Sequence, residues 1–170
     1  MIVKSKWMLA AAALACGFTA AHAGALSVTR KAEIDVDPKN AAGDSAKVWE
    51  QFGAFCAIKD WHPAISGCEE SAEGGAAFRT LTLKDGGKIK EKLIEKKDLS
   101  YKYEIVESPL PVKNYTAQFS VKPDDDDEDE ANVVWTATFE ANGKPDKEAR
   151  AVIDGIFKDG LESIKAKLKK

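Results

Sequence analysis

Residues 145–170 read PDKEARAVIDGIFKDGLESIKAKLKK, and the spacing of their apolar side chains decides the architecture. Val152, Ile153, Ile156, Phe157, Leu161, Ile164 and Leu168 recur at helical intervals, which predicts one long helix with a single apolar face. Lys165, Lys167, Lys169 and Lys170 stand where the helix dipole favours cations. Gly155 and Gly160 each cost about 1 kcal/mol of helix propensity against alanine, so a close approach of this helix to a sheet is the natural reason for keeping them.

The chain before this helix has the other period. Leu26, Val28, Ala32, Ile34 and Val36 occupy even positions of a strand over residues 25–36, which Asp37-Pro38 stops. Asp44 and Ser45 can each cap a helix, and Val48, Trp49, Phe52, Phe55 and Ile58 follow at helical spacing. Gly53 divides this stretch into two short helices, and Pro63 ends the second. Residues 76–83 and 88–96 flank Lys84-Asp85-Gly86-Gly87, a tight hairpin signal, and strands over 100–107, 115–121 and 132–141 continue the pattern. The expected class is α+β: a curved antiparallel sheet, with a meander of at least five strands, wrapped around the long C-terminal helix.

The first 23 residues read differently. Lys4 and Lys6 precede an uncharged apolar run from Trp7 to Ala15, and Ala21-His22-Ala23 places small residues where a signal peptidase reads. A cleavable signal peptide over 1–23 is expected, with one domain over 24–170. A lipoprotein signal at Cys16 is the competing reading, against which Leu14 stands where a small residue is usual. The run is shorter than the roughly 20 residues needed to cross a bilayer, so no transmembrane segment is expected in the mature chain. Cleavage removes two lysines and no carboxylate, so 147 residues remain and the net charge moves from −3 to −5. A single domain of that size can bury a real core and still enclose a cavity. The acidic balance argues against nucleic acid, which needs a basic face.

Cys56 and Cys68 are the cysteines left after cleavage, an even pair in an exported chain, where a disulfide forms and persists. Two unlinked thiols are the alternative. A histidine-based metal site is disfavoured, because His62 is the one histidine of the mature chain.

Several segments together carry a family resemblance: Val48-Trp49-Glu50-Gln51-Phe52-Gly53-Ala54-Phe55, Asp60-Trp61-His62-Pro63-Ala64-Ile65, Ile89-Lys90-Glu91-Lys92-Leu93, Val134-Trp135-Thr136-Ala137-Thr138-Phe139 and Gly155-Ile156-Phe157-Lys158-Asp159-Gly160-Leu161. On these the chain resembles the START and Bet v 1-like (SRPBCC) superfamily of helix-grip proteins, in its polyketide cyclase/dehydrase-like branch. With its leader and with cysteines flanking Trp61-His62-Pro63, it looks most like the exported MxaD-like proteins, a periplasmic group associated with methanol oxidation. The resemblance implies a fold and leaves the activity open, since the superfamily holds lipid carriers, hormone binders and cyclases. It implies a small apolar or amphipathic ligand in an internal cavity, a periplasmic dehydrogenase or cytochrome as partner, and no cofactor.

Strand alternation makes one specific proposal. With Leu81 opposite Glu91, the side chains of Arg79, Leu81, Leu83, Ile89, Glu91 and Leu93 share the inner face, and Arg79 and Glu91 become diagonal neighbours. That pair could orient a polar group of a ligand or form a structural ion pair at the cavity rim. The candidate cavity set is Trp61, His62, Arg79, Glu91, Tyr101, Tyr103, Tyr115, Phe119, Trp135 and Phe139. Aromatics at strand spacing also serve as plain core, and His62 equally suits a structural role at a helix end.

No catalytic constellation is specified. His62 and Glu91, with a cavity tyrosine, are the weak acid or base candidates, and no Gly-x-Ser-x-Gly elbow or phosphate loop occurs. Asp124, Asp125, Asp126, Asp127, Glu128, Asp129 and Glu130 form the most unusual stretch. Dense carboxylates attract calcium or a lanthanide, but the glycine and terminal glutamate of an EF-hand loop are missing. The run reads first as a solvated hairpin tip, with weak metal binding or docking on a basic protein as alternatives. The leading expectation is therefore an exported ligand-binding protein or redox accessory factor. A polyketide cyclase/dehydratase-like enzyme is the runner-up.

Overall fold

The computed structural model describes residues 24–37, 39, 41–126 and 129–169. The leader expected over 1–23 and two members of the acidic run, Asp127 and Glu128, lie outside the described residues. Ten elements follow in order: β1 (Leu26–Asp35), α1 (Ala41–Phe52), α2 (Ile58–Trp61), β2 (Ile65–Glu73), β3 (Ala76–Leu83), β4 (Lys88–Lys97), β5 (Ser100–Glu107), β6 (Val112–Pro123), β7 (Glu130–Ala141) and α3 (Asp146–Leu168). The seven strands make one antiparallel sheet in the order β1-β7-β6-β5-β4-β3-β2. No helix among the described residues is long and apolar enough to cross a membrane.

Alternation builds the inner face. Leu26, Val28, Ala32 and Ile34 of β1 are buried, as are Tyr101 and Tyr103 of β5 and Val133, Trp135, Ala137 and Phe139 of β7. Ala149, Ile153, Phe157, Gly160, Leu161 and Ile164 of α3 close the core over that face, and the Phe157 ring stacks on Trp135 at 4.2 Å. Val152, expected on this face, is 39% exposed. The buried stripe runs through two small residues, Ala149 and Gly160, and a stripe centred there leaves position 152 on the solvent side.

The two helix glycines differ. A Cβ at Gly160 would lie 2.8 Å from His62 Cδ2 and 3.0 Å from the rings of Trp135 and Trp61, so α3 makes its close approach here. A Cβ at Gly155 would meet nothing within 4 Å, and the packing reason expected for it does not hold.

Strand β2 has no counterpart in the sequence pattern. Its residues after Ile65 are exposed or half-buried, because it is a sheet edge, and so they show no apolar alternation. Backbone pairing with β3 defines it, from Gly67 opposite Thr82 to Glu73 opposite Ala76.

Strand β6 carries a bulge. Lys113 pairs with Glu140 and Thr116 with Thr138, so β6 has one residue more than β7 between those pairs, and Asn114 takes a left-handed φ of 51°. The extra residue resets the alternation, so that Val112 and Tyr115 both face inward. Pairing of β5 with β6 covers only Ser100–Glu104 against Thr116–Ser120; beyond it the two strands part toward the loop of residues 108–111.

Candidate functional site

A cavity of about 190 Å³ lies between the sheet and α3. Ile153, Ile156 and Phe157 roof it from α3, and Ile58, His62, Ala64 and Ile65 wall it from the α2–β2 segment. The sheet contributes Leu81, Leu83, Ile89, Glu91, Tyr103, Ile105, Tyr115 and Trp135, and Leu110 comes from the β5–β6 loop. Ala64, Leu83, Leu110 and Ile156 retain exposure and mark its mouth. Of the candidate cavity set, His62, Glu91, Tyr103, Tyr115 and Trp135 line this space. Trp61, Arg79, Tyr101, Phe119 and Phe139 are buried without lining it.

Register brings Arg79 and Glu91 together. Leu81 pairs with Ile89, not with Glu91 as expected, so Arg79 stands directly across from Glu91. The slip is two residues, an even number, and therefore leaves every side chain on its expected face. Arg79 is fully buried and Glu91 4% exposed, so the pair lies in the interior and not at a rim. Arg79 Nε donates to Glu91 Oε2 at 2.5 Å, and its NH1 donates to the Phe55 carbonyl and to the Tyr101 hydroxyl at 3.4 Å. The guanidinium also sits 4.2 Å from the Phe55 ring centre and 5.0 Å from that of Tyr103. Burial works against the arginine charge, but Glu91 and the neighbouring phenols outweigh it and keep Arg79 cationic. Burial likewise pushes the Glu91 carboxyl up, against the pull of Arg79. With Oε2 held by Arg79, Glu91 Oε1 has no hydrogen-bond partner among the described residues, and the side chain forms part of the cavity wall.

The aromatic cluster around the pair is ordered by polar contacts. Trp135 Nε1 donates to the Tyr103 hydroxyl at 3.0 Å, and the Tyr103 and Tyr115 ring centres lie 6.2 Å apart. Burial raises all three tyrosines above their ordinary value of 10, so they stand as neutral phenols.

His62 joins two elements. Its Nδ1 accepts the Ala64 N–H at 3.1 Å, which leaves the proton on Nε2, and that nitrogen donates to the Ile156 carbonyl at 3.0 Å. Burial lowers its pKa below 6.5, opposed by the Ile156 bond and by Asp159. Both ring nitrogens are thus occupied in tying the α2–β2 turn to α3. Beside it, Cys56 and Cys68 form a disulfide that fastens the α1–α2 turn to β2, with Cα atoms 5.5 Å apart.

The acidic run gathers little. Asp124 accepts bonds from Asn132 and from the Asp126 N–H, and Lys31 Nζ lies 3.6 Å away. Asp125 is 89% exposed. Among the described residues no group of three or more His, Cys, Asp or Glu side chains could hold a metal ion.

The cavity residues absent from the sequence set are aliphatic, Phe157 excepted. Leu81, Leu83 and Ile89 were readable as inward, and Ile153, Ile156 and Phe157 as the helix face, but nothing marked them as wall and not filled core. Leu110 lies in a loop between two prolines, where periodicity carries no signal.

The model of the polyketide cyclase/dehydrase and lipid transport family matches residues 25–169. The chain belongs to this family. It is 31% identical to the protein XoxI from Bacillus cereus, over 85% of this chain and 96% of that one, with a TM-score of 0.73. An uncharacterized protein from Bacillus thuringiensis is 30% identical over 85% of this chain and all of its own, again with a TM-score of 0.73. The Zhui aromatase/cyclase from Streptomyces sp. R1128 shares the fold at a TM-score of 0.66, with 15% identity over 86% of this chain and 94% of that one. No curated protein matches the chain at a significant level. The helix-grip architecture expected from the sequence is the observed one, with α3 laid in the concave face of the sheet.

Proposed function

We propose that this is an exported member of the family that holds a small apolar or amphipathic ligand in the cavity beneath α3 without transforming it. The observation that carries this reading is the cavity itself: about 190 Å³, walled almost entirely by aliphatic and aromatic side chains, with a mouth between α3 and the β5–β6 loop. Family membership supports small-ligand binding. The leader-like residues 1–23 and the disulfide support export, to the periplasm. A non-catalytic role accords with the neighbouring groups: both His62 nitrogens are bonded, and the buried phenols are neutral.

The volume also weighs against a multi-ring polyketide substrate, since pockets for ligands of that size run to roughly 300–1,000 Å³. The resemblance to MxaD-like proteins supports a place beside a periplasmic dehydrogenase or cytochrome, with the ligand-binding domain as its accessory. Native mass spectrometry of protein purified from its own periplasm should show a small adduct that apolar dyes displace. A protein that is consistently free of adduct and fails to bind such dyes would overturn the carrier reading. Capture of a dehydrogenase or cytochrome by the purified protein tests the accessory role separately.

A further inference from the structure

From the cavity's polar atoms we infer the class of ligand it takes: a single-ring molecule bearing one neutral hydroxyl group, of the size of phenol. The inference rests on the cavity-binding reading above. Size comes first. An apolar cavity of about 150 Å³ accepts benzene, so a space of about 190 Å³ holds one ring and one small substituent. The walls match a ring face: Trp135, Phe157 and Tyr103 stand among Ile58, Ile89 and Ile153.

The polar atoms then select the substituent. Glu91 Oε2 is committed to Arg79, which leaves Oε1 as an acceptor in the wall with no partner among the described residues. The Tyr103 oxygen receives Trp135 Nε1–H. Tyr115 also lines the wall, and its neutral hydroxyl has a proton to give. An acceptor and a donor facing one small space are answered together by a hydroxyl, which donates to Glu91 Oε1 and accepts from Tyr115. A carboxylate would meet the Glu91 charge, and a purely apolar ligand would cover the second carboxylate oxygen without giving it a bond.

Calorimetric titration of the purified protein with phenol, toluene and anisole tests this. Phenol should bind about tenfold or more tightly than toluene, the gain expected of a hydrogen bond to a charged group. Anisole, which accepts but cannot donate, should fall to the level of toluene. Glu91 variants also strand Arg79 and lower stability as well as binding, so the discriminating variant is Tyr115→Phe. It should weaken phenol several-fold while leaving toluene binding and the thermal midpoint nearly unchanged. Toluene or anisole binding as tightly as phenol would overturn hydroxyl recognition and leave the cavity reading standing. Failure of all three to bind would overturn both. Tight phenol binding unaffected by Tyr115→Phe would remove Tyr115 from the site.

Discussion

Arg79 and Glu91 meet inside the sheet with almost no exposure, whereas the acidic run of residues 124–130 falls in sequence at the turn between β6 and β7, where Asp125 is 89% exposed. By count of charges the turn dominates the chain; by energy the single buried pair does. Each buried charge has lost its water and depends on one partner, so the penalty for error there is large. In the turn Asp125 and Asp126 keep their water, and neither charge depends on a buried partner. Local desolvation, more than charge number, decides which ionic residues the fold depends on.

The sharpest way to break this comparison is to remove one buried partner. Glu91→Leu should cost about 3–5 kcal/mol in urea denaturation, because Arg79 is left buried and unpaired. Arg79→Met combined with Glu91→Leu should recover most of that loss, and a double variant as unstable as the single one would show that packing, not charge, is at stake. The interior against the surface can also be posed without charge. Gly160→Ala forces a methyl against His62, Trp61 and Trp135 and should destabilise by about 1–3 kcal/mol. Gly155→Ala, in open space, should instead stabilise by up to about 1 kcal/mol.

His62 gives the comparison a pH axis. Its folded pKa lies below the ordinary 6.5, so the unfolded chain takes up the proton first as the solution is acidified. Its contribution is therefore complete above pH 6.5 and lost as the pH falls through the folded value. Thermal midpoints measured from pH 7.5 downward should decline over that range. His62→Gln, which can still donate to the Ile156 carbonyl, should flatten that part of the curve. The smallest effects belong to the turn. Asp124→Ala should cost about 1 kcal/mol, since Asn132 and the Asp126 N–H lose their acceptor. Asp125→Asn with Asp126→Asn should leave the denaturation midpoint where it was.

The same distinction explains what was legible in the sequence. Elements that bury one face announced themselves: β1, the β3–β4 hairpin and α3 all show a period that desolvation imposes. The inward facing of Arg79 and Glu91 was readable from alternation, while their pairing partner was not, because a two-residue slip conserves the faces and changes only the neighbour. Strand β2 was invisible for the converse reason: an edge with little burial has no period to show. The bulge at Asn114 puts Val112 out of step with the alternation of Tyr115, Ala117, Phe119 and Val121, and only cross-strand pairing reveals it. The division of the inner residues into cavity wall and filled core depends on how side chains from seven strands and two helices fit together, which no single segment encodes.

The edge strand β2 has one more effect. An open seven-stranded sheet leaves the outer backbone of β2 available to any other extended chain, and such edges are where proteins begin to associate into aggregates. Here Glu69, Glu70 and Glu73 stand exposed along nine residues, and the ladder is interrupted between Ile65 and Gly67. A second copy pairing with β2 antiparallel and centred on residue 71 would set Glu69 against Glu73 at both ends of the contact. The residues that hide β2 from a reader of the sequence also make it a poor template for its own kind.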